Sequence, residues 1–251
     1  MSELTEKIQT ELIKSGFPLE VFCKKRLEKR GWRCEGPTHV TLDDKVQELD
    51  IVASQQISFE KNLTAFFNIH VTCKKCSNNH WVFFKDQRVP TGVLVNSNFI
   101  DHLNIDVDSL ESLSRFESTD TVRSKIYTMA FQAQKNQIYE AINELLSSYN
   151  FFRQFYGQHR LERKPEFNIV DVDLLTILLD GKLFAAEIGE SEDLTVSEAT
   201  HILYYHHEVE WPQHRHFTIE VVNKQYFDQY LDTVGADVQD LSRRIKQQLS
   251  V

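Results

Sequence analysis

The sequence predicts an α/β protein: a central mixed sheet flanked by helices, with an elaborated α/β second half. Three observations predict it. Apolar residues recur at helical spacing over residues 3–14 and 17–30. A period of two is read in residues 48–53 (ELDIVA) and 65–74 (AFFNIHVTCK). Strand-like and helix-like segments then alternate to the end of the 251-residue chain, which is long enough for one large core. Residues 1–120 are expected to form the core unit and 121–251 the remainder of the same globular body.

The elements follow in order. Leu4, Ile8, Leu12 and Ile13 mark an amphipathic first helix, ended by Ser15-Gly16. Pro18 sits where the first turn of a second helix favours it, and Gly31 stops that helix. Leu19, Phe22, Cys23 and Leu27 form its apolar stripe, and Lys24, Lys25, Arg26, Lys29 and Arg30 cover the rest. In 48–53, Leu49 and Ile51 share one face and Glu48 and Asp50 the other. In 65–74, Phe67, Ile69, Val71 and Cys73 share one face, and Asn68, His70, Thr72 and Lys74 the other. A polar turn, CSNNH, is expected before the apolar strand Trp81–Phe84. Residues 121–152 read as one long helix with Ile126, Met129, Ala133, Ile138, Ala141, Ile142 and Leu145 on its apolar side. Asp180-Gly181 between two apolar runs predicts a hairpin. HILYYHHEV and HFTIEVV read as strands, and YFDQYLDTV and ADVQDLSRRIKQQL as two closing helices.

Composition bounds the function. No stretch approaches the length of apolar run that spans a membrane, and the polar start lacks the apolar centre of a secretory signal. A cytoplasmic protein is expected, with Cys23, Cys34, Cys73 and Cys76 as thiols. The net charge of −9 argues against an undiscriminating polyanion binder. Residues 1–90 nevertheless carry 14 Lys and Arg against 12 Asp and Glu, whereas 91–251 carry 14 against 25. Nucleic acid would be met by the first part, and the acidic second half would serve a protein partner or a homodimer, or simply keep the chain in solution.

Glu20, Asp50 and Lys74 form the constellation with chemistry in it. Should the strands pair beneath the helix, two carboxylates and a lysine converge. Phosphodiester hydrolysis uses such a set: carboxylates hold a divalent ion, and lysine orients water or stabilises charge. At GFPLEVFCKKRLEKRGW (16–32), QELDIVA (47–53) and HVTCKKCSNNHWVFF (70–84) the chain resembles the PD-(D/E)XK nuclease superfamily. The resemblance implies a restriction-endonuclease-like fold, a metal-dependent nuclease acting on DNA or RNA, and Mg²⁺ or Mn²⁺ as cofactor. It puts the metal-binding aspartate on Asp50, the helix glutamate on Glu20, the lysine on Lys74 and a metal-ligating backbone carbonyl on Cys73. The second carboxylate falls on Thr72, which carries no charge; Glu20, Glu48 or His70 are the candidates to replace it. The alternative function is a catalytically inactive module of this fold that binds nucleic acid or a protein.

Two other clusters have metal-ligand types. Cys73, Cys76 and His80 have zinc-like spacing, but alternation sends Cys73 to the core as a small apolar residue. His201, His206, His207, His214 and His216 straddle a strand and a turn and read as surface histidines. Glu187 and Glu190 follow the expected hairpin, with nothing to prefer them over solvent.

Overall fold

Two unusually long strands organise the computed structural model: β5 (Leu63–Lys85) and β8 (Asn168–Ile188), paired parallel along nearly their whole length. The structure describes residues 3–36, 38–42, 45–49, 51–98, 103, 105–118, 121–130, 136–163, 168–210 and 213–250. Around the pair lie β1 (Arg33–Glu35), β4 (Ile51–Ser58), β6 (Leu94–Asn98), β7 (Val122–Ala130), β9 (Leu194–Glu198), β10 (His201–Glu210) and β11 (Gln213–Asn223). The strand order is β1-β4-β5-β7-β10-β11-β8-β6, with β9 added to β8, so the sheet is mixed. A separate ribbon joins β2 (Thr38–Leu42) and β3 (Lys45–Leu49). The helices are α1 (Glu3–Lys14), α2 (Phe17–Lys29), α3 (Asp108–Glu111), α4 (Gln137–Arg163) and α5 (Phe227–Leu249). The chain is thus a mixed α/β protein with a large sheet flanked by helices. No described helix is long and apolar enough to cross a membrane.

Alternation along β5 and β8 divides the core in two. Phe67, Ile69, Val71 and Cys73 join Val170, Val172, Leu174 and Leu178 beneath α2 and α5. Leu175, Ile177, Leu179, Trp81 and Phe83 lie on the other side beneath Ile138, Ala141, Ile142, Leu145 and Tyr149 of α4. Each large apolar side chain taken fully from water contributes about 1.5–3 kcal/mol, which is why both helix layers are fixed to the sheet.

The end of α2 is set by Gly31, at φ +79°. Trp32 N–H donates to the Leu27 carbonyl at 3.2 Å and Gly31 N–H to that of Glu28 at 3.0 Å. This is the Schellman closure that a left-handed glycine permits. It delivers buried Trp32 into the core beside Leu27.

Several expectations are corrected. Residues 122–130 are strand β7, not the start of a long helix: they pair with β5 on one side and β10 on the other, and sheet pairing overrides their helical spacing. The helix begins at Gln137, and Ala133 lies outside the described residues. Asp180-Gly181 is not a hairpin; β8 runs straight through it. A Cβ on Gly181 would stand 2.6 Å from the Cys76 carbonyl oxygen, so glycine is required there by close approach of β5. CSNNH is likewise the matching irregularity in β5, not a turn between strands: the register shifts between Lys75 and His80. The two closing helices are one, α5, which passes through Gly235. The expected strand 48–53 divides into β3 and β4, with Asp50 between them outside the described residues.

Candidate functional site: the strip of β5 beneath α4

Asn68, His70, Thr72 and Lys74 share a face of β5, as alternation requires, but that face is not open. It is roofed by α4. His70 is fully buried, with its ring edge-on to Tyr149 and Phe152 at centroid distances of 5.3 and 5.1 Å. Thr72 is 1% exposed and pairs with Ile177 of β8. Only Lys74, where the strip ends, reaches the surface, and its ammonium is ion-paired with Glu144 of α4.

The centre of the strip is Asp173, supplied by β8 opposite Asn68. Its Oδ1 accepts from Asn68 Nδ2 at 2.9 Å and from His70 Nε2 at 3.1 Å. Its Oδ2 accepts from Asn96 Nδ2 of β6 at 3.4 Å, and Ser54 Oγ of β4 donates to Asn68 Oδ1 at 2.8 Å. Four strands are therefore tied together through one buried carboxylate. His70 Nδ1 meets no hydrogen-bond partner among the described residues. Tyr149 closes the outer end: burial and then the Asp173 charge push its hydroxyl up to about 12, and Arg153 donates to it at 3.2 Å.

Glu20 lies elsewhere. Its helix buries Leu19, Cys23 and Leu27 against Phe67, Ile69 and Val71, the opposite face of the sheet from Lys74. Its carboxylate turns towards Gly16, at the start of its own helix. The structure thus brings Thr72 and Lys74 onto one strip and sets Glu20 on an element across the sheet. Asp50 and the side chain of Glu48 lie outside what is described. Cys73 is buried on the α2 side and Cys76 on the α4 side, so these thiols face different cores. No group of three metal-ligating side chains occurs among the described residues.

The basic run on α2 is partly structural. Arg30 pairs with Asp232 and Asp228 of α5 at 2.8 and 2.9 Å, and Arg26 with Asp228 at 3.4 Å. Of the histidines, His201 contacts Glu220 at 3.0 Å, while His207 and His216 stack at 4.6 Å. Burial lowers the pKa of His206. Glu187 pairs with Lys85 at 2.9 Å.

A second buried network lies on the α5 side. Arg115, from a short 3-10 turn at Ser114–Phe116, grips both oxygens of Glu220 of β11 and also Asp237 of α5. Tyr230 donates to Glu220 Oε1 at 3.0 Å and exchanges a 2.7 Å hydrogen bond with Thr176. Burial alone would raise the Glu220 pKa; Arg115 and the His201 hydrogen bond reverse this and hold it at about 2. Every polar group named here is partnered, as a brace requires.

Sequence reasoning missed Asp173, Glu144, Arg115 and Glu220. Asp173 had a signal: an acid inside the run NIVDVDLLTILL, where every neighbouring apolar side chain is buried. A cavity of about 540 Å³ is lined by Tyr149, Arg153, Arg215 and His216, and another of about 790 Å³ by Arg30, Trp32 and Leu231; neither includes Thr72 or Lys74. No protein family, curated protein or solved structure matches this chain.

Proposed function

We propose that the chain is a catalytically inactive, restriction-endonuclease-like module that binds protein. The observation that carries the reading is the burial of Thr72 beneath α4, at 1% exposure. Phosphodiester cleavage needs a phosphate and a hydrated divalent ion at that strip. A sealed, uncharged threonine offers neither access nor a ligand. Binding of nucleic acid is disfavoured because Arg26 and Arg30 are spent on α5 and the chain carries −9. Protein binding is favoured by an apolar row on the sheet face opposite α4: Ile126, Phe84, Ala186 and Val196 lie in register across β7, β5, β8 and β9, with Ala186 buried at 1% exposure between Phe84 and Val196. Ile126 and Val196 are 56% and 54% exposed.

The test is incubation of purified protein with supercoiled DNA, single-stranded DNA and RNA in Mg²⁺ and in Mn²⁺. No cleavage in either ion is expected. Glu144 beside Lys74 favours a second reading, in which the helix carboxylate stands in for the acid missing at Thr72 and an active nuclease uses Mg²⁺ or Mn²⁺. Cleavage abolished by both Lys74→Ala and Glu144→Gln would establish that reading and overturn the first.

A further inference from the structure

We propose that β9 is the seam of a two-fold dimer, in which Val196 pairs with Val196 of a second copy. The inference deepens the protein-binding reading by naming the partner as this same chain.

β9 pairs with β8 and with no other described strand, and all five of its residues are exposed. Two hydrogen bonds fix its phase: Gly189 N–H to the Asp193 carbonyl at 2.9 Å, and Ala199 N–H to the Leu183 carbonyl at 2.8 Å. In an antiparallel pair, residues bonding to one neighbour alternate with residues whose N–H and C=O point the other way. Thr195 and Ser197 therefore bond towards β8. The main-chain groups of Leu194, Val196 and Glu198 point to the open edge.

That edge is self-complementary. Antiparallel pairing centred on Val196 sets Leu194 opposite Glu198 of the second copy and Thr195 opposite Ser197. It makes about six main-chain hydrogen bonds, all from groups already aimed outwards. Valines meet at the axis, hydroxyls meet on the other face, and no like charges stand directly opposite. Glu198, the one charge in the strand, is already neutralised by Lys182 at 2.6 Å. Edge strands that must stay single are blunted by proline, lysine or inward charge, and LTVSE has none of these. The pairing is isologous, so it closes at two copies and does not propagate. It carries the register Ile126–Phe84–Ala186–Val196, buried at Ala186 and exposed at its two ends, across the axis into its own image.

The full chain is examined by sedimentation equilibrium from about 1 to about 500 µM, a range chosen for a small, weak interface. The mass is expected to rise from one chain to two, and no further. Val196→Lys places two ammonium groups at the axis and is expected to give one chain's mass throughout. Ile126→Lys, at the far end of the same apolar row, is expected to leave the dimer intact. Val196→Cys is expected to form a disulfide-linked dimer under mild oxidation, because paired α-carbons at about 5.5 Å fall within disulfide reach. Ile126→Cys is expected not to. A wild-type chain that stays single at the highest concentration overturns the proposal. So does a dimer that survives Val196→Lys, or one broken equally by Ile126→Lys, since that would be face stacking and not a seam. Any of these leaves the absence of cleavage as a separate result.

Discussion

β5 and β8 run side by side past a shared irregularity, at Cys76 and at Gly181, and are treated differently on its two sides. In their first halves both faces are buried: α2 and α5 cover one, α4 the other. In their second halves α4 covers Trp81, Phe83, Leu183 and Ala185, while on the other face Phe84, Ile188 and neighbouring Val196 meet solvent beside buried Val82 and Ala186. Polar side chains follow the same division. Where both faces are sealed, Asp173 and Glu220 are each held by several partners. Where one face is open, the charged residues form single exposed pairs such as Lys182–Glu198. A polar residue in a strand is therefore evidence of a solvent face only where no helix lies above it.

The largest loss is expected at Glu220. Glu220→Ala leaves Arg115 as a buried charge with only Asp237 against it, and is expected to cost about 3–5 kcal/mol in urea unfolding. Asp173→Ala removes the acceptor shared by Asn68, His70 and Asn96 and is expected to cost about 1–3 kcal/mol. At the irregularity itself, Gly181→Ala drives a methyl into the Cys76 carbonyl; a loss of about 1–3 kcal/mol is expected. On the open half, Val196→Lys is expected to change monomer stability by less than about 0.5 kcal/mol. If it destabilises as much as Asp173→Ala, the two halves do not differ as described.

Acid sharpens the same contrast. Glu220 is held at about 2 against an ordinary 4.5, so folding favours its ionised form. Its contribution is complete above pH 4.5 and is lost as pH falls towards 2. Asp237, raised by burial, acts in the opposite sense over its own range. Urea midpoints of the wild type are expected to fall between pH 5 and pH 3 by more than those of Glu220→Gln.

Much of the fold was legible, because alternation and helical spacing are local. α1, α2, β10 and β11 emerged near their observed places, and the alternation of β5 was read correctly. What alternation cannot say is which face is wet. Asn68, His70 and Thr72 stand on the polar side of the alternation and are nevertheless buried, because the roof, α4, begins more than sixty residues later in the chain. The Asp180-Gly181 misreading has the same origin: the dipeptide's usual meaning is local, and here Gly181 answers to Cys76, a hundred residues away in sequence. Ile126 and Met129 sat at helical spacing but took partners from β5. For the site, sequence grouped Thr72 with Lys74 but had no means of placing Glu20 across the sheet, or Glu144 and Asp173 beside them.

Hydrogen exchange followed at residue resolution, in dilute protein, tests the closed strip most directly. The amides of Asn68–Lys74 are expected to exchange only with global unfolding, while those of Leu194, Val196 and Glu198 exchange orders of magnitude faster. Exchange of Asn68–Lys74 as fast as that of β9 would show that α4 opens freely over the strip, and would contradict the account.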